Sequence, residues 1–175
     1  MSLKPKRVVE SKTKMTELVM PNDTNPLGNL MGGYLMRWMD IACSICAAKH
    51  AEAPVVTVSV DHVAFDHPIH LGDVITLEAQ VTRAFNTSVE VYVEVFSSTM
   101  AGENYRKSNH AYFTFVALDK ETHTPVPIPE VIPLSEEERK RYESAPRRRE
   151  VRLILSGRMK AEDATNLISY FSDMR

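Results

Sequence analysis

The sequence has little cysteine, no excess of either charge and no long uninterrupted apolar run, and each shortage removes a class of protein. Only two cysteines occur in 175 residues, Cys43 and Cys46, with no second Cys or His pair at zinc spacing. A redox C-x-x-C pair usually sits at an exposed helix start, whereas these two fall inside an apolar stretch, so both read as core packing. The net charge of −2 and pI near 6.3 supply no general field to recruit nucleic acid or an anionic membrane. Any anion binding must be local. Met1 to Lys14 is basic and polar, without the apolar core of a secretory signal, and the cytoplasm is the expected compartment. The most apolar stretch, Leu30 to Ala48, carries Arg37 and Asp40 near its middle, which a bilayer-spanning helix would disfavour. It belongs in a protein core.

The composition that remains, 43% hydrophobic and 25% charged, suits one globular core plus an appendage. Val8 to Val19 reads as a first strand, followed by turn formers in Met20-Pro21-Asn22-Asp23-Thr24-Asn25. From Leu30 to about His50, Met31, Leu35, Trp38, Met39, Ala42, Ile45 and Cys46 recur at helical spacing. Tyr34, Met36, Ile41 and Ala47 fill the other sides, so this helix is expected to be surrounded by protein. Thereafter the period drops to two, most clearly in Ser88 to Val95, and similarly in Asp73 to Ala84 and Tyr105 to Leu118. Asn86-Thr87 and Ala101-Gly102-Glu103-Asn104 supply the turns, while Val55 to Val60 and Val63 to Phe65 begin the sheet before Pro68. The fold class is α+β: one long helix, about five antiparallel strands curved around it, and an open sheet edge that calls for a partner subunit.

Thr124 to Pro133 is a proline-rich connector, and the core domain is expected over residues 8–134. Residues 135–175 form a charged helical extension, in which Ser135-Glu136-Glu137-Glu138 is a capping box opening a helix through about Glu143. Lys160 to Met174 is expected to form an amphipathic helix with Ala164, Leu167, Ile168 and Phe171 on one face, suited to subunit contact.

Asp40 is the residue that packing explains least, because a carboxylate two turns into an apolar helix must be paired or neutralised. Arg37, three residues earlier, is the innocent partner, although such a surface pair stabilises by only a few tenths of a kcal/mol. At the helix start, Gly28-Asn29-Leu30-Met31-Gly32-Gly33 lets a ligand approach backbone N–H groups, where a carbonyl under attack could place its developing negative charge. Close helix-on-sheet packing would equally explain the Gly-Gly pair. Asn25 offers an amide in the preceding loop, though Asn in such a loop is ordinarily a turn former.

Taken together, Met20-Pro21-Asn22-Asp23-Thr24-Asn25-Pro26-Leu27-Gly28-Asn29-Leu30-Met31-Gly32-Gly33-Tyr34-Leu35-Met36-Arg37-Trp38-Met39-Asp40 closely resembles the signature of hot-dog-fold acyl-CoA thioesterases, in the bacterial short-chain and brain acyl-CoA hydrolase group. The pattern runs Asn, two residues, Gly, three residues, Gly-Gly, two residues, Met, two residues, Met-Asp. The likeness continues through Val56-Thr57-Val58, Phe65 with Pro68-Ile69 and Gly72-Asp73, Thr87-Ser88-Val89, and Phe113 to Leu118, covering about Val8 to Leu118.

The resemblance implies a hot-dog fold, dimers with a continuous sheet commonly assembled as a trimer of dimers, a homohexamer, and active sites shared between subunits. It implies acyl-CoA as substrate, coenzyme A present only as part of substrate and product, and no required cofactor. Asp40 would be the general base or nucleophile, Asn25 from the facing subunit would position the carbonyl or water, and Gly33 with Gly32 would supply the oxyanion donor. Thr87, Ser88 and Lys107 match positions near coenzyme A in the group, with a hairpin turn and a solvated edge lysine as the plainer readings. Arg147-Arg148-Arg149 reads as solvated surface, and alternation spreads Asp61, His62, Asp66, His67, His70 and Asp73 over both faces of a strand and a loop, against a metal site. A related enoyl-thioester hydratase would need His where Ile45 stands. A non-catalytic acyl-CoA sensor would lack the need for Asp40 and would carry a DNA-binding helix-turn-helix, which is not seen here.

Overall fold

Alternating valines decide the architecture. In the computed structural model, which describes residues 3–173, the chain runs β1 (Lys6–Arg7), β2 (Thr13–Leu18), α1 (Gly32–Ala51), β3 (Val55–Phe65), β4 (Val74–Ala84), β5 (Ser88–Ser98), β6 (Arg106–Ala117), β7 (Val131–Ile132), α2 (Glu136–Leu155) and α3 (Thr165–Asp173). Met1 and Met174, which the sequence reading included in its terminal segments, lie outside the described residues. The chain divides into two compact units, Met1–Ile132 and Pro133–Arg175, whereas the sequence placed the division after Leu134.

In the first unit β2-β4-β5-β6-β3 form one antiparallel sheet, and β1 pairs with β7 in parallel as a separate two-stranded piece. Val89, Val91, Val93 and Val95 of β5 and Ala111, Phe113, Phe115 and Ala117 of β6 are fully buried, as strand alternation requires when one face lies on the core. α1 touches all five strands, presenting Met39, Ala42, Cys43, Cys46 and Ala47, small or flexible side chains that let the helix lie close to the sheet. Burial pushes both thiols up, Cys46 to about 12, and removes them from redox chemistry.

Within one chain the enclosure of α1 is one-sided, so cover on the other side, which the sequence reading expects, would have to come from outside this sheet. Gly33, Arg37, Ile45 and Lys49 are exposed, and Tyr34, Asp40, Ile41 and Ser44 are half-buried. A single sheet covers one side of a cylinder, and the side left open carries the polar residues together with Ile45.

Three boundaries also differ from expectation. Val8–Glu10 is a 3-10 turn rather than strand, because the Arg7 N–H donates to the Glu10 carboxylate at 2.7 Å and closes the chain on itself. α2 opens on the expected capping box but continues through Pro146 to Leu155. Pro146 lacks the N–H that would bond the Tyr142 carbonyl four residues earlier, and the helix nonetheless continues, with the Ser144 hydroxyl and the Arg148 guanidinium donating to the neighbouring Arg141 carbonyl. The last helix begins only at Thr165, after a short turn over Ala161–Asp163. Glu150 of α2 fixes that start by accepting from the backbone N–H groups of Asn166 and Leu167.

The C-terminal end of α1 is held by β1. Lys6 Nζ donates to the carbonyls of Lys49 and His50, both at 3.0 Å, and pairs with Glu52 at 2.6 Å, where the backbone turns left-handed at φ 55° and ends the helix. His50 is fully buried, with Nε2–H donating to the Pro129 carbonyl at 2.9 Å and Nδ1 facing the Ser11 hydroxyl at 3.5 Å. Burial holds its pKa below the ordinary 6.5, so the ring is neutral. As pH drops below 6.5 the unfolded chain takes up a proton that the folded chain refuses until lower pH, and stability declines. Thermal midpoints measured between about pH 7 and pH 5 should fall with pH, and His50→Gln should flatten that slope while lowering the midpoint.

Candidate active site

The sequence set Asp40 in a greasy stretch and offered Arg37 as its innocent partner; within one chain the carboxylate is less enclosed than that, and the Arg37 pairing is not what holds it. Asp40 is half-buried at the margin between α1 and the edge strand β3, and its Oδ1 accepts from Thr57 Oγ1 at 2.7 Å. No ion pair joins it to Arg37 among the described residues. An acceptor bond from a hydroxyl leaves the carboxylate charged and fixes its direction, whereas a guanidinium would have neutralised it. Thr57 is the residue that sequence reasoning quoted without giving it a role.

Asn25 is held by its own loop. Its Oδ1 accepts from the backbone N–H groups of Leu27 at 2.9 Å and Asn29 at 3.1 Å. Both partners are donors, so the oxygen must face them and the Nδ2 amide must point away. That amide donates to nothing among the described residues. The turn-forming role and a ligand-binding role therefore use different atoms of one side chain.

Gly32 and Gly33 open α1 with no side-chain cap. Leu35 N–H bonds the Met31 carbonyl, but the N–H groups of Gly32 and Gly33 find no acceptor among the described residues, as befits the first positions of a helix. A carbon added at Gly32 would meet the Phe65 ring at 3.5 Å, an ordinary contact, and one added at Gly33 would meet nothing within 4 Å. Helix-on-sheet packing therefore does not account for Gly33. Beside this helix start lies a cleft of about 330 Å³ bounded by Leu30, Leu35, Phe65, Pro68, Ile69 and Asn109, a size suited to a small ligand group. Asp40 follows Gly33 by seven residues, about 10 Å along the same side of the helix. One chain does not bring the two against a single carbonyl.

The expected coenzyme A contacts are not gathered in one chain either. Thr87 and Ser88 sit in the β4–β5 hairpin, while Lys107 pairs across from Phe96, eight residues and roughly 26 Å along β5 from Ser88. Lys107 is also occupied, bonded to Glu94 at 2.8 Å and to the Tyr92 hydroxyl at 3.0 Å. Burial lowers its pKa, but these two bonds outweigh it and the net direction is up. The acid and histidine cluster disperses: Asp61 accepts from Ser59, Asp66 faces His110, Asp73 accepts from the His70 N–H, and the His70 ring bonds Asn29.

The chain thus presents a long helix laid across an antiparallel sheet, with open N–H groups at its start and a carboxylate on its uncovered side. The family model described as the thioesterase superfamily matches residues 27–102, and the chain belongs to that family. It is 41% identical over 129 residues to an uncharacterized acyl-CoA thioester hydrolase, YkhA, of Bacillus subtilis (strain 168), covering 74% of each chain. A hexameric acyl-CoA thioesterase solved in its apo form superposes with a TM-score of 0.84 at 39% identity, covering 88% of this chain and 98% of that one. The acyl-CoA hydrolase of Staphylococcus aureus, solved with butyryl coenzyme A and coenzyme A, superposes with a TM-score of 0.81 at 35% identity, covering 95% and 98%. The chain spans only 25% of the length of acyl-coenzyme A thioesterase 11 of Mus musculus, to which it is 38% identical over 150 residues.

The open space at Gly33 makes a stability prediction. Gly33→Ala should preserve the fold and raise stability by a few tenths to about 1 kcal/mol, measured by thermal or denaturant unfolding. A loss instead would return this glycine to a packing role.

Proposed function

We propose that this chain is an acyl-CoA thioesterase, hydrolysing acyl-CoA to a free fatty acid and coenzyme A. The observation that carries the reading is a fixed carboxylate, Asp40, on the same uncovered side of α1 as two open N–H groups. A thioester carbonyl under attack turns into an oxyanion, and backbone donors at a helix start stabilise it by several kcal/mol. Gly33, with Gly32, is assigned that role. The Asn25 amide, turned outward by its loop, orients the carbonyl or the water. Asp40 either takes a proton from the water that adds to the carbonyl, or attacks the carbonyl itself to give an acyl–Asp40 anhydride that water then opens. In both the carbon–sulfur bond breaks, and the thiolate leaves, protonated by the Asp40 carboxyl in the first case and by solvent in the second. Thr57 acts through Asp40, as a positioning residue. The reaction needs no resident cofactor, and coenzyme A enters as part of the substrate.

The spacing of Gly33 and Asp40 asks for a second copy, so that one subunit offers the N–H groups and the other the carboxylate. β3 is the edge suited to meet it. Val56 and Val58 stand exposed there, as does Ile45 on the adjoining helix. The opposite edge, β2, is guarded by Lys12 and Lys14, each paired to Glu78 at 3.3 Å. Joining two β3 edges makes one continuous sheet, and the hexameric relative supports a trimer of such dimers. Among the described residues no helix is long and apolar enough to cross a membrane, and the cytoplasm is the compartment proposed.

Thiol release from acyl-CoA, followed with a thiol reagent, tests the assignment. Asp40→Asn should lower kcat by about 100-fold or more while the melting temperature holds. Thr57→Val should lower it by about tenfold, the effect of one hydrogen bond to a charged group. Wild-type turnover in Asp40→Asn would remove the base. A single turnover in oxygen-18 water with trapping of any acyl-enzyme separates the two roles of Asp40: label in the carboxylate or a trapped acyl–Asp40 anhydride means direct attack, and label in the fatty acid with no trapped anhydride means activated water. For assembly, light scattering should give a mass that is an even multiple of 19.8 kDa, and Val58→Glu on the β3 edge should shift it toward a single chain.

A further inference from the structure

Residues 67–70 form a wall between two clefts. On one side lies the cleft at the start of α1, and on the other a second cleft of about 420 Å³ bounded by His70, Asp73, Thr99, Asn104, Tyr105 and Arg106. Two hydrogen bonds tie the wall to both. The His70 ring bonds Asn29 Oδ1 at 2.7 Å, and Arg106 Nη2 donates to the Pro68 carbonyl at 3.1 Å. Asn29 and Pro68 face the first cleft, His70 and Arg106 the second.

The second cleft differs in chemistry from the first, since no aliphatic side chain lines it. Tyr105 is 58% exposed and lies nearly parallel to Phe96, with ring centroids 5.2 Å apart and 6° between planes. An exposed ring held flat by a second ring behind it is a platform for a planar base. Arg106 beside it is exposed and uses one of its five N–H donors on Pro68, leaving the others for a phosphate. Asp73, the one carboxylate in the lining, has its Oδ2 engaged by the His70 backbone N–H at 2.8 Å.

An acyl-CoA is apolar at one end and carries adenine, ribose and phosphates at the other. We infer that the second cleft receives the nucleotide end, with Tyr105 stacked on adenine and Arg106 paired with phosphate. The substrate then lies across the wall at residues 67–70, its thioester beside the start of α1. This rests on the thioesterase reading and adds to it a binding site remote from Thr87 and Ser88.

Two substrates that share the thioester but differ in the nucleotide provide the test: an acyl-CoA and the matching acyl-pantetheine. In Arg106→Gln and in Tyr105→Ala, the ratio of kcat/KM for acyl-CoA to that for acyl-pantetheine should fall about five- to tenfold from the wild-type ratio, as loss of one charged hydrogen bond or one stacking contact requires. Calorimetric binding of coenzyme A and of pantetheine gives a readout independent of turnover. Wild type should bind coenzyme A more tightly, and either substitution should narrow that difference. An unchanged ratio with an unchanged affinity difference overturns the inference, and so does an equal loss for both substrates, which would mean that Arg106 only braces Pro68. If wild type cleaves neither thioester, the thioesterase reading fails by itself, and the calorimetric difference still decides whether this cleft holds a nucleotide.

Discussion

One sheet can bury only one side of a helix, and this constraint organises the molecule. α1 lies across all five strands and gives them its small residues, so the sheet can curve around it at close range. The opposite side cannot be served by the same chain. It is there that Gly33, Arg37, Asp40 and Ile45 collect, half-buried or exposed, next to a sheet edge whose valines also lack cover. Folding of the first unit therefore leaves an unfinished surface, and the groups proposed for catalysis are part of that surface. Under the proposed pairing of subunits, completing the core and completing the site would be the same event.

Within that surface, order is imposed by small polar contacts rather than by ion pairs. Thr57 aims Asp40 without neutralising it. The backbone of a tight loop takes the Asn25 oxygen and leaves the amide outward. The helix start provides donors whose direction is fixed by the helix itself. Such preorganised dipoles cost little reorganisation when charge appears in a reaction.

The helix, the five strands and their turns were legible because their signals are local: the period of apolar residues, the Asn-Thr turn, the capping box at Ser135. Asp40, Asn25 and the two glycines could be singled out as candidates because they fall in one unbroken motif. Thr57 was not, since its bond to Asp40 joins a strand to a helix across 17 residues and depends on where β3 settles. The second cleft was equally hidden. It exists because strand register brings the hairpin at Thr99–Arg106 against His70 and Asp73, and no spacing along the chain announces that. Asp40 is only half-buried within one chain, since apolar periodicity reports the composition of a helix and not how many of its sides its own sheet covers. The end of α2 was placed too early, near Glu143, because the helix runs on through Pro146 to Leu155.

The clasp between β1 and β7 carries a kinetic implication. Lys6 pairs with Val131, and the same lysine closes the C-terminal end of α1, so that helix is sealed by contacts drawn from both extremes of the first unit. Contacts of such high sequence separation carry a large loop-closure entropy and form late. On the ribosome the sheet and helix can begin to collapse as they emerge, and Lys6 can meet the end of α1 early, but the Pro129 carbonyl that holds His50 and the β7 strand that holds β1 arrive last, so the closing of this corner waits for the final residues of the unit.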